Sequence, residues 1–283
     1  MSVISWLASY PKSGNTWLRV FLGNLLAKNN HSALKNIEKA PIASCRSLLD
    51  EAIGYDSSYL TNEEINKLRP EVEQYWANQE THWKFRKVHD AYTYSDDGKP
   101  MISDSTLNGA IYIVRNPLDI CISLAYHLGH KDIDKSIQQM ADPNFSLASS
   151  NKNYNKQLPQ QLSTWSEHVR SWINTKEINV HIIRYEDMQA FPVSTFKKAA
   201  HFCGLNASTK EIEQAVKKSQ FSALQEEEQS EGFNEQVNSS AFFRSGRSGN
   251  WKSVLSDFQI NKMIENHYDV MSHFGYIDES MHY

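Results

Sequence analysis

The chain has 283 residues, of which 40% are hydrophobic and 22% are charged, and its formal net charge at pH 7 is −4. This composition is typical of a globular protein, and the length is sufficient to bury a large core. The slight negative charge argues against nonspecific binding of nucleic acid, so any anion site must be local and no nucleic acid is expected as a partner.

Three scattered cysteines, Cys45, Cys121 and Cys203, match neither a disulfide framework nor a zinc site. Their number and spacing favour a reducing compartment. The first residues contain no basic segment followed by an apolar run, and no window reaches about 18 consecutive apolar residues. We therefore expect a cytoplasmic protein without a signal peptide and with no membrane as a partner.

Four apolar runs have the composition of buried strands, with amphipathic patterns between them. The strands are expected at Ile4–Ala8, Trp83–Val88, Gly109–Val114 and Val180–Ile183. The helices are expected at Thr16–Lys28, Pro117–Leu128, Gln160–Asn174, Pro192–Cys203, Thr209–Lys218 and Phe258–Phe274. Continuous apolar strands separated by helices are typical of a mostly parallel sheet flanked by helices, so the predicted fold class is α/β.

Three polar segments have less regular patterns, namely 29–75, 132–160 and 225–249, and the first of them is expected to be helical in part. Long irregular segments in a compact domain are commonly lids, so we expect lids or variable loops in these places. The sequence contains no internal repeat and no linker that would separate a second domain. We therefore predict a single domain over 1–283.

The start of the chain has an apolar strand, a small turn and an amphipathic helix, and residues 10–17 read YPKSGNTW. Such a turn presents unpaired N–H groups and the positive end of a helix to one point, where an anion can bind. Gly14 permits close approach of the backbone, and Lys12 adds a positive charge. Ser13 and Thr16 add hydroxyl donors.

The position of Lys12 distinguishes this turn from the loop of P-loop nucleotide triphosphatases. In that loop the lysine follows the second glycine, whereas Lys12 precedes Gly14. For these residues alone, an ordinary strand, turn and helix with a surface lysine is the alternative interpretation.

Arg115 follows a predicted buried strand and comes two residues before Pro117, which suits the first turn of a helix. It is therefore expected at the carboxyl edge of the sheet, where open α/β sheets bind ligands. An arginine there, with Ser123 about two helical turns further on, can bind a second phosphate. A surface ion pair between Arg115 and Asp119 is the alternative.

A basic loop with aromatic flanks occupies residues 242–252, which read FFRSGRSGNWK. Glycines expose backbone amides, and Arg244 and Arg247 would form a local anion site in an acidic protein. A solvated loop without a ligand is the alternative. Together with the two preceding segments, this loop favours a ligand that carries several phosphates.

Lys87 and His89 end the second predicted strand, and alternation places both on one face at the ligand edge of the sheet. A histidine can remove a proton from a hydroxyl, and a neighbouring lysine can stabilise developing negative charge. A purely structural role for His89 is the alternative.

These segments resemble, in order, the signature regions of the sulfotransferase superfamily that uses 3′-phosphoadenosine 5′-phosphosulfate (PAPS). YPKSGNTW resembles the 5′-phosphosulfate loop, IVRNPLDICIS the 3′-phosphate motif and Lys87-Val88-His89 the Lys-Thr-His catalytic segment. FRSGRSGNWK resembles the C-terminal Arg-x-Gly and Gly-x-Trp-Lys segment, and 164–172 and 183–188 resemble further family segments. The resemblance implies a P-loop-like sulfotransferase fold, PAPS as sulfate donor, 3′-phosphoadenosine 5′-phosphate (PAP) as product and no metal.

The resemblance also assigns roles to matching positions. The 5′-phosphosulfate would be held by Lys12, Ser13, Gly14, Asn15, Thr16 and Trp17. The 3′-phosphate would be held by Arg115, Ser123, Arg244, Ser245 and Gly246. Adenine would contact Trp17, Tyr185 and Phe221, although the last two also suit core packing. The catalytic residues would be His89 as general base, Lys87 at the transferring sulfuryl group and Lys12 at the departing phosphate.

The chain departs from the family pattern in three places. Asn15 stands where many members have Thr, and Val88 replaces the frequent Thr between Lys87 and His89. The residues after Lys252 lack the complete dimer motif, so both a monomer and a homodimer stay open.

The acceptor implied by the resemblance is a small molecule with a hydroxyl or an amine. Five side chains are candidates for an aromatic entrance to its site: Tyr92, Tyr94, Tyr126, His127 and His130. Surface or core packing is the alternative for each of them. Two other functions stay open, a P-loop-type nucleotide kinase and a catalytically idle nucleotide-binding protein.

Overall fold

The computed structural model describes residues 4–27, 34, 40–79, 85–102, 107–150, 155–233, 243 and 246–277. The strands in this part of the chain are β1 (Ile4–Ser9), β2 (Phe85–Val88), β3 (Leu107–Val114), β4 (Ser146–Leu147), β5 (Gln160–Gln161) and β6 (Val180–Arg184). A central parallel sheet has the order β2-β1-β3-β6, and β4 pairs with β5 in a separate antiparallel ribbon. The predicted α/β fold class is confirmed.

The sheet order places a crevice beside β1. This strand is buried at every position, and Leu7 pairs with Lys87 on one side and with Ile111 on the other. The chain moves from β1 to β2 on one side and then to β3 on the opposite side. In open α/β sheets, ligands bind at such a switch point, outside the carboxyl ends of the strands.

Twelve α-helices lie within the described residues. They are α1 (Asn15–Leu26), α2 (Arg46–Ile53), α3 (Asn62–Asn78), α4 (Pro117–His127), α5 (Ile133–Met140), α6 (Trp165–Ile173), α7 (Tyr185–Ala190), α8 (Pro192–Phe202), α9 (Thr209–Lys218), α10 (Phe221–Glu231), α11 (Trp251–Val254) and α12 (Asp257–His273). None of the helices described is long and apolar enough to cross a membrane.

The two faces of the sheet bury separate cores, as expected from strand alternation. Trp6 and Ala8 point to a core that includes residues of α4, α6 and α12. Leu7 points to the opposite core, which includes residues of α1, α8 and α9. The sheet is therefore covered by helices on both faces.

The predicted helix over Gln160–Asn174 is wrong at its start. Helix α6 begins at Trp165, because the backbone of Ser163 has a φ of 60° and the side chain of Thr164 caps the helix. The Thr164 hydroxyl accepts a hydrogen bond from the Glu167 N–H at 3.0 Å. Gln160 and Gln161, at the start of the predicted helix, form β5 instead.

The partial helix expected within 29–75 is present, and the other two segments predicted to be irregular also contain helices. Within 29–75 lie α2, a short 3₁₀ helix at Ser57–Tyr59 and most of α3. Within 132–160 lies α5, which Asp132 caps. Helix α10 extends to Glu231, so the third segment starts helical. Of the strand predicted over Trp83–Val88, the first two residues lie outside the described part of the chain.

Two buried ion pairs join α3 to the region of β2. Arg69 forms two hydrogen bonds with the Asp90 carboxylate, of 2.9 and 3.0 Å, and Arg86 contacts Glu73 at 2.7 Å. Burial raises the pKa of Glu73. Removing one partner of such a pair leaves an unpaired buried charge, so these contacts fix where the chain leaves β2.

Candidate active site

A cavity of about 650 Å³ opens at the carboxyl ends of β1, β2 and β3. Its described lining carries three fixed cations, Lys12, Lys87 and Arg115, but only one carboxylate, that of Asp119. The protein as a whole has a net charge of −4. The described lining thus carries a local excess of positive charge in an acidic protein, which favours an anionic ligand.

The turn between β1 and α1 has the backbone geometry of an anion site. Lys12 and Gly14 have φ values of 68° and 102°, and Gly14 is the N-cap residue of α1. A turn in which residues with positive and with negative φ alternate points successive backbone N–H groups into one concavity. No acidic residue lies in the first turn of α1, so no carboxylate of that turn competes for the positive helix end.

Gly14 lies against the ring of Tyr185, the first residue of α7. A β-carbon on Gly14 would be 2.5 Å from Cδ2 of Tyr185, a distance that real contacts do not show. The Tyr185 hydroxyl donates to the Gly246 carbonyl at 2.9 Å. Tyr185 thus joins the N-terminal turn to the loop that begins at Gly246, although the two lie far apart in the sequence.

Arg115 occupies the end of β3, as predicted, and is largely buried. Its Nη1 donates to the Lys12 carbonyl at 2.9 Å and its Nη2 to the Arg247 carbonyl at 3.1 Å. Its guanidinium carbon lies 4.2 Å from the centre of the Tyr185 ring. These contacts hold a permanent positive charge at the switch point of the sheet.

Asp119 binds the C-terminal loop rather than Arg115. Its carboxylate accepts from the Gly249 N–H at 2.8 Å and from the Trp251 N–H at 3.2 Å. The alternative of an ion pair between Arg115 and Asp119 is therefore wrong. Asp119 instead anchors the loop over residues 246–251 beside the cavity.

His89 has its imidazole held by the last residue of β1. Its Nδ1 lies 2.8 Å from the carbonyl oxygen of Ser9 and 3.3 Å from the Ser9 hydroxyl. A carbonyl oxygen can only accept, so Nδ1 must carry the proton and Nε2 the basic lone pair. Because the ring also lines the cavity, the tautomer is the one required of a base at this place.

Asn15 turns its side chain into the protein. Its Nδ2 donates to the Leu7 carbonyl at 2.8 Å and to the Ser9 hydroxyl at 3.2 Å. The side chain therefore ties the start of α1 back to β1 and supports Ser9, which in turn holds His89. Asn15 contributes a backbone N–H to the first turn of the helix, where such groups have no intrahelical partner.

Lys87 shares the cavity with His89, as strand alternation predicted. Its main chain is bonded on the free side of β2, where its N–H donates to Pro41 and its carbonyl accepts from Ala43, at 3.0 and 2.8 Å. Ile42, between those two residues, also lines the cavity. Lys87 is thus held in an almost fully buried position.

The structure brings most of the predicted site residues to this one cavity. Its lining includes Lys12, Gly14, Asn15, Thr16, Trp17, Lys87, His89, Arg115, Ser123, Tyr185, Phe221 and Gly246. Ser13 is not part of the lining: its hydroxyl is buried and has no hydrogen-bond partner among the described residues. Arg244 and Ser245 lie outside the described residues.

The three predicted adenine contacts lie near one another. Trp17 and Tyr185 meet edge to face, with their ring centres 6.0 Å apart. Phe221 begins α10 and packs so closely on Gly246 that a β-carbon there would be 2.2 Å from the Phe221 ring. Aromatic rings from three separate elements, α1, α7 and α10, therefore contribute to the lining, and the ring of Tyr185 lies against Arg115.

The expected aromatic entrance is mostly wrong. Of its five candidates only His127 lines the cavity. Tyr92 and Tyr94 instead donate to the two carboxylate oxygens of Glu177, each at 2.8 Å. The lining also includes residues that were not predicted for the site, among them Ile42, Ile122, Leu147, Gln157 and Gln160.

Gln189 of α7 is another residue missed in the sequence. Its amide nitrogen donates to the Gly246 carbonyl, and its oxygen accepts from the Ser248 N–H at 3.1 Å and from the Ser248 hydroxyl. It lies one helical turn after Tyr185, which was predicted to be a site residue, and this spacing was the available signal.

Comparison with known proteins gives the same assignment over nearly the whole chain. The sequence profile of the family described as "Sulfotransferase domain" matches residues 4–281. Sulfotransferase 2A2 of Mus musculus is 26% identical over 252 residues, which cover 87% of this chain and 76% of that protein. Luciferin sulfotransferase of Photinus pyralis is 28% identical over 283 residues, covering 92% of this chain and 69% of that protein.

Solved structures share the fold. Mouse sulfotransferase SULT7A1 complexed with PAP superposes with a TM-score of 0.61 at 19% identity, covering 96% of this chain and 85% of that one. Retinol dehydratase in complex with androsterone and PAP has a TM-score of 0.61 at 18% identity, covering 99% and 82%. The predicted P-loop-like sulfotransferase fold is confirmed, and the family profile shows that this chain belongs to the sulfotransferase family.

Proposed function

We propose that this protein transfers a sulfuryl group from PAPS to a hydroxyl, or an amine, of a small-molecule acceptor. The observation that carries the proposal is the arrangement at the switch point of the sheet. A histidine whose basic nitrogen is Nε2 lines the same cavity as Lys12, Lys87 and Arg115. This is the set of groups that direct sulfuryl transfer requires: a base for the acceptor and fixed cations for the anionic donor.

PAPS as the donor is supported by two kinds of observation. The solved structures of similar fold include complexes with PAP. In this chain, the turn at Gly14 and the guanidinium of Arg115 form two positively charged sites. They are adjacent, because Arg115 donates a hydrogen bond to the Lys12 carbonyl of that turn. A nucleotide with phosphates at both its 5′ and 3′ positions fits such a pair, and the rings of Trp17 and Tyr185 offer a surface for its base.

Different residues would bind the two phosphate-bearing ends of the donor. The N–H groups at the start of α1, with Lys12 and Thr16, would hold the 5′-phosphosulfate. Arg115 and Ser123 would hold the 3′-phosphate, and Gly246 would bring the C-terminal loop over it. PAPS, when bound, supplies a sulfuryl group whose sulfur is open to attack opposite the phosphate oxygen that leaves.

The chain's own residues then perform the proton and charge steps. Nε2 of His89 would take the proton of the acceptor hydroxyl as its oxygen attacks, while the Ser9 carbonyl keeps the opposite ring nitrogen protonated. Lys87 would stabilise charge on the transferring group, and Lys12 charge on the departing phosphate. Fixed positions for these groups lower the entropic cost of reaching the transition state.

The acceptor side of the cavity favours an amphipathic small molecule. Ile42, Ile122 and Leu147 provide apolar surface, while Gln157 and Gln160 add amides. Ligand sites of this size are generally lined by apolar groups with few polar ones, which fix orientation. We therefore propose a hydroxylated compound with a substantial apolar part as the acceptor.

The alternative of a P-loop-type kinase is opposed by the order of Lys12 and Gly14 and by the engagement of Asp119. The Asp119 oxygens are bonded to the N–H groups of Gly249 and Trp251. Calorimetry with PAP and with ATP plus magnesium separates the two functions. PAP should bind at least about a hundredfold more tightly than ATP with magnesium, and the reverse order would support the kinase.

The base assignment is tested by single-turnover transfer from PAPS with the acceptor in excess. His89→Ala should lower the transfer rate by about a hundredfold or more and leave PAP affinity within about twofold. His130→Ala is the matched control, because His130 lies outside the cavity lining, in contact with Gln139. Transfer by His89→Ala at the wild-type rate would show that His89 is not the base, and an idle protein would show no transfer in any form.

A further inference from the structure

We infer that His168 and Tyr112 are positioning residues for the reaction, because together they hold the main-chain carbonyl of His89 through hydrogen bonds. The inference rests on the proposed function, since it concerns catalysis only if His89 is the base. His168 lies on α6 and Tyr112 on β3, and neither lines the cavity. Nothing in the local sequence around His89 indicates this contact.

The contact is a chain of two hydrogen bonds. The Tyr112 hydroxyl lies 2.9 Å from Nδ1 of His168, and Nε2 of His168 lies 2.9 Å from the carbonyl oxygen of His89. The carbonyl can only accept, so Nε2 of His168 must carry its proton. Nδ1 must then accept, and the Tyr112 hydroxyl must donate to it. A single arrangement of protons satisfies every group.

Burial keeps this arrangement stable. His168 is fully enclosed, and burial lowers its pKa to about 4. The imidazole is therefore neutral at physiological pH, with one donor and one acceptor nitrogen. Burial also raises the pKa of Tyr112 far above its usual value, so the phenol stays a donor. A neutral pair with fixed roles holds its neighbour in one geometry over the whole working pH range.

The segment that carries the base depends on such support. Strand β2 ends at Val88, so the sheet does not fix the chain beyond it. Beyond β2, three side chains on one face of helix α6 form hydrogen bonds with the main chain. His168 holds the carbonyl of His89, Trp172 donates to the Asp90 carbonyl at 3.0 Å, and Ser171 accepts from the Tyr92 N–H at 2.9 Å. Their spacing of three and four residues puts them side by side on the helix.

His89 is thus held from two sides. Ser9 fixes the imidazole through Nδ1, and His168 fixes the peptide to which the imidazole is attached. The position of Nε2 relative to the acceptor depends on both. A displacement of about 1 Å at a reacting group can cost about a hundredfold in rate, so loss of the His168 contact should reduce transfer.

The test compares substitutions at His168 with the same substitutions at a matched histidine. His267 on α12 is also buried, burial also lowers its pKa to about 4, and it also bonds to a hydroxyl, that of Ser166 at 2.9 Å. It is not part of the cavity lining. His267→Leu therefore reports the cost of losing a buried imidazole that has no contact with His89.

We expect His168→Leu to lower the single-turnover transfer rate by about tenfold to a hundredfold at saturating PAPS, with PAP affinity within about twofold. His168→Gln keeps an N–H near the position of Nε2 and should restore most of the rate. His267→Leu should transfer at the wild-type rate. Equal rates for His168→Leu and His267→Leu would overturn the inference.

A readout without catalysis separates this inference from the proposed function. In the folded protein, the ¹⁵N shifts of His89 should report the Nδ1–H tautomer, and His168→Leu should change those shifts whereas His267→Leu should not. If His89→Ala transfers normally, the base assignment fails, and these shifts still decide whether His168 positions His89. Unchanged shifts in His168→Leu would contradict the inference.

Tyr112→Phe provides a second variant in case His168→Leu does not fold. It removes one hydroxyl and keeps the ring, which stacks on Trp172 with centres 5.9 Å apart. His168 then loses the donor that fixes its tautomer, and transfer should fall by about threefold to tenfold. A folded Tyr112→Phe protein with wild-type rate and unchanged His89 shifts would count against the inference.

Discussion

Gly14 and Tyr185 are so close that a β-carbon on the glycine would lie 2.5 Å from the tyrosine ring. The contact joins the turn after β1 to the first residue of α7, and Tyr185 also stacks against Arg115. The two positively charged sites proposed for the donor are thus both in contact with the ring of Tyr185. A change at the glycine should therefore disturb both.

Gly14→Ala should weaken PAP binding by about tenfold or more, measured by calorimetry. The methyl group would push Tyr185 away, and the φ of 102° is strained for alanine. Gly98→Ala is the control, because Gly98 has a φ of 78° but no atom within 4 Å of its β-carbon position. Equal PAP affinity in both variants would contradict the proposed cradle.

Arg115→Lys should lose about tenfold in affinity for PAP and much less for adenosine 5′-phosphate, which lacks the 3′-phosphate. Lysine cannot reproduce the planar, forked donor that stacks on Tyr185. Arg184→Lys is the matched control, because Arg184 stacks on Tyr276 at 5.0 Å and lies outside the cavity lining. If Arg115→Lys weakens both nucleotides equally, Arg115 does not read the 3′-phosphate.

Asp119→Ala should release the loop over 246–251 and weaken PAP binding severalfold. It leaves the N–H groups of Gly249 and Trp251 without their acceptor, at a cost of about 1–3 kcal/mol in the free energy of unfolding. Asp132→Ala removes a helix cap away from the cavity, and should cost about 1 kcal/mol without changing PAP affinity. Unchanged PAP affinity in Asp119→Ala would show that the loop over 246–251 does not contribute to donor binding.

The free energy of unfolding should fall as the pH is lowered from about 6.5 toward about 4, in part because of two buried histidines. Burial lowers the pKa of His168 and of His267 to about 4, against about 6.5 in an unfolded chain. Between these values the unfolded chain binds more protons, so folding is opposed. Each imidazole contributes a loss on the order of 3 kcal/mol across this range.

Urea unfolding of the wild type and of His267→Leu at several pH values measures this effect. The variant should start from a lower stability at neutral pH and lose less on acidification. The same dependence on pH in both proteins would show that His267 is not held neutral by burial.

Much of the fold followed from the apolar pattern. The strands around Leu7, Ile111 and Ile183 were predicted because parallel strands buried on both faces consist of uninterrupted apolar runs. Helix α9 was predicted with its observed limits, and the structure shows that Ser208 caps its start. The extent of the domain, 1–283, stays a prediction.

Other elements depend on contacts between distant residues or on turn geometry. The positive φ of Ser163 shortened the predicted helix, and a capped helix at Ile133–Met140 was hidden in a polar segment. Short amphipathic helices of this kind carry few apolar residues, so their pattern resembles that of a loop. Their packing on the core decides their structure.

The site likewise contains residues that the sequence predicted and contacts that it did not. Lys12, Lys87, His89 and Arg115 were predictable because each lies at or just after the carboxyl end of a strand, and parallel strands end at one edge. The inward turn of Asn15 and the bond from His168 to His89 were not, because they link residues through space. His168 is 79 positions from His89 in the chain. The only local signal was its place on one face of a helix with Ser171 and Trp172.

Transfer of a sulfuryl group from PAPS by this protein can be measured without knowing the acceptor in advance. The purified protein is incubated with PAPS and a panel of phenols, alcohols, sugars and peptides, and mass spectrometry quantifies PAP and sulfated acceptor together. We predict equal amounts of PAP and of one class of sulfated product, both lost in His89→Ala. Binding of ATP and appearance of a phosphorylated product, with PAPS left intact, would show that the protein is not a PAPS-dependent sulfotransferase.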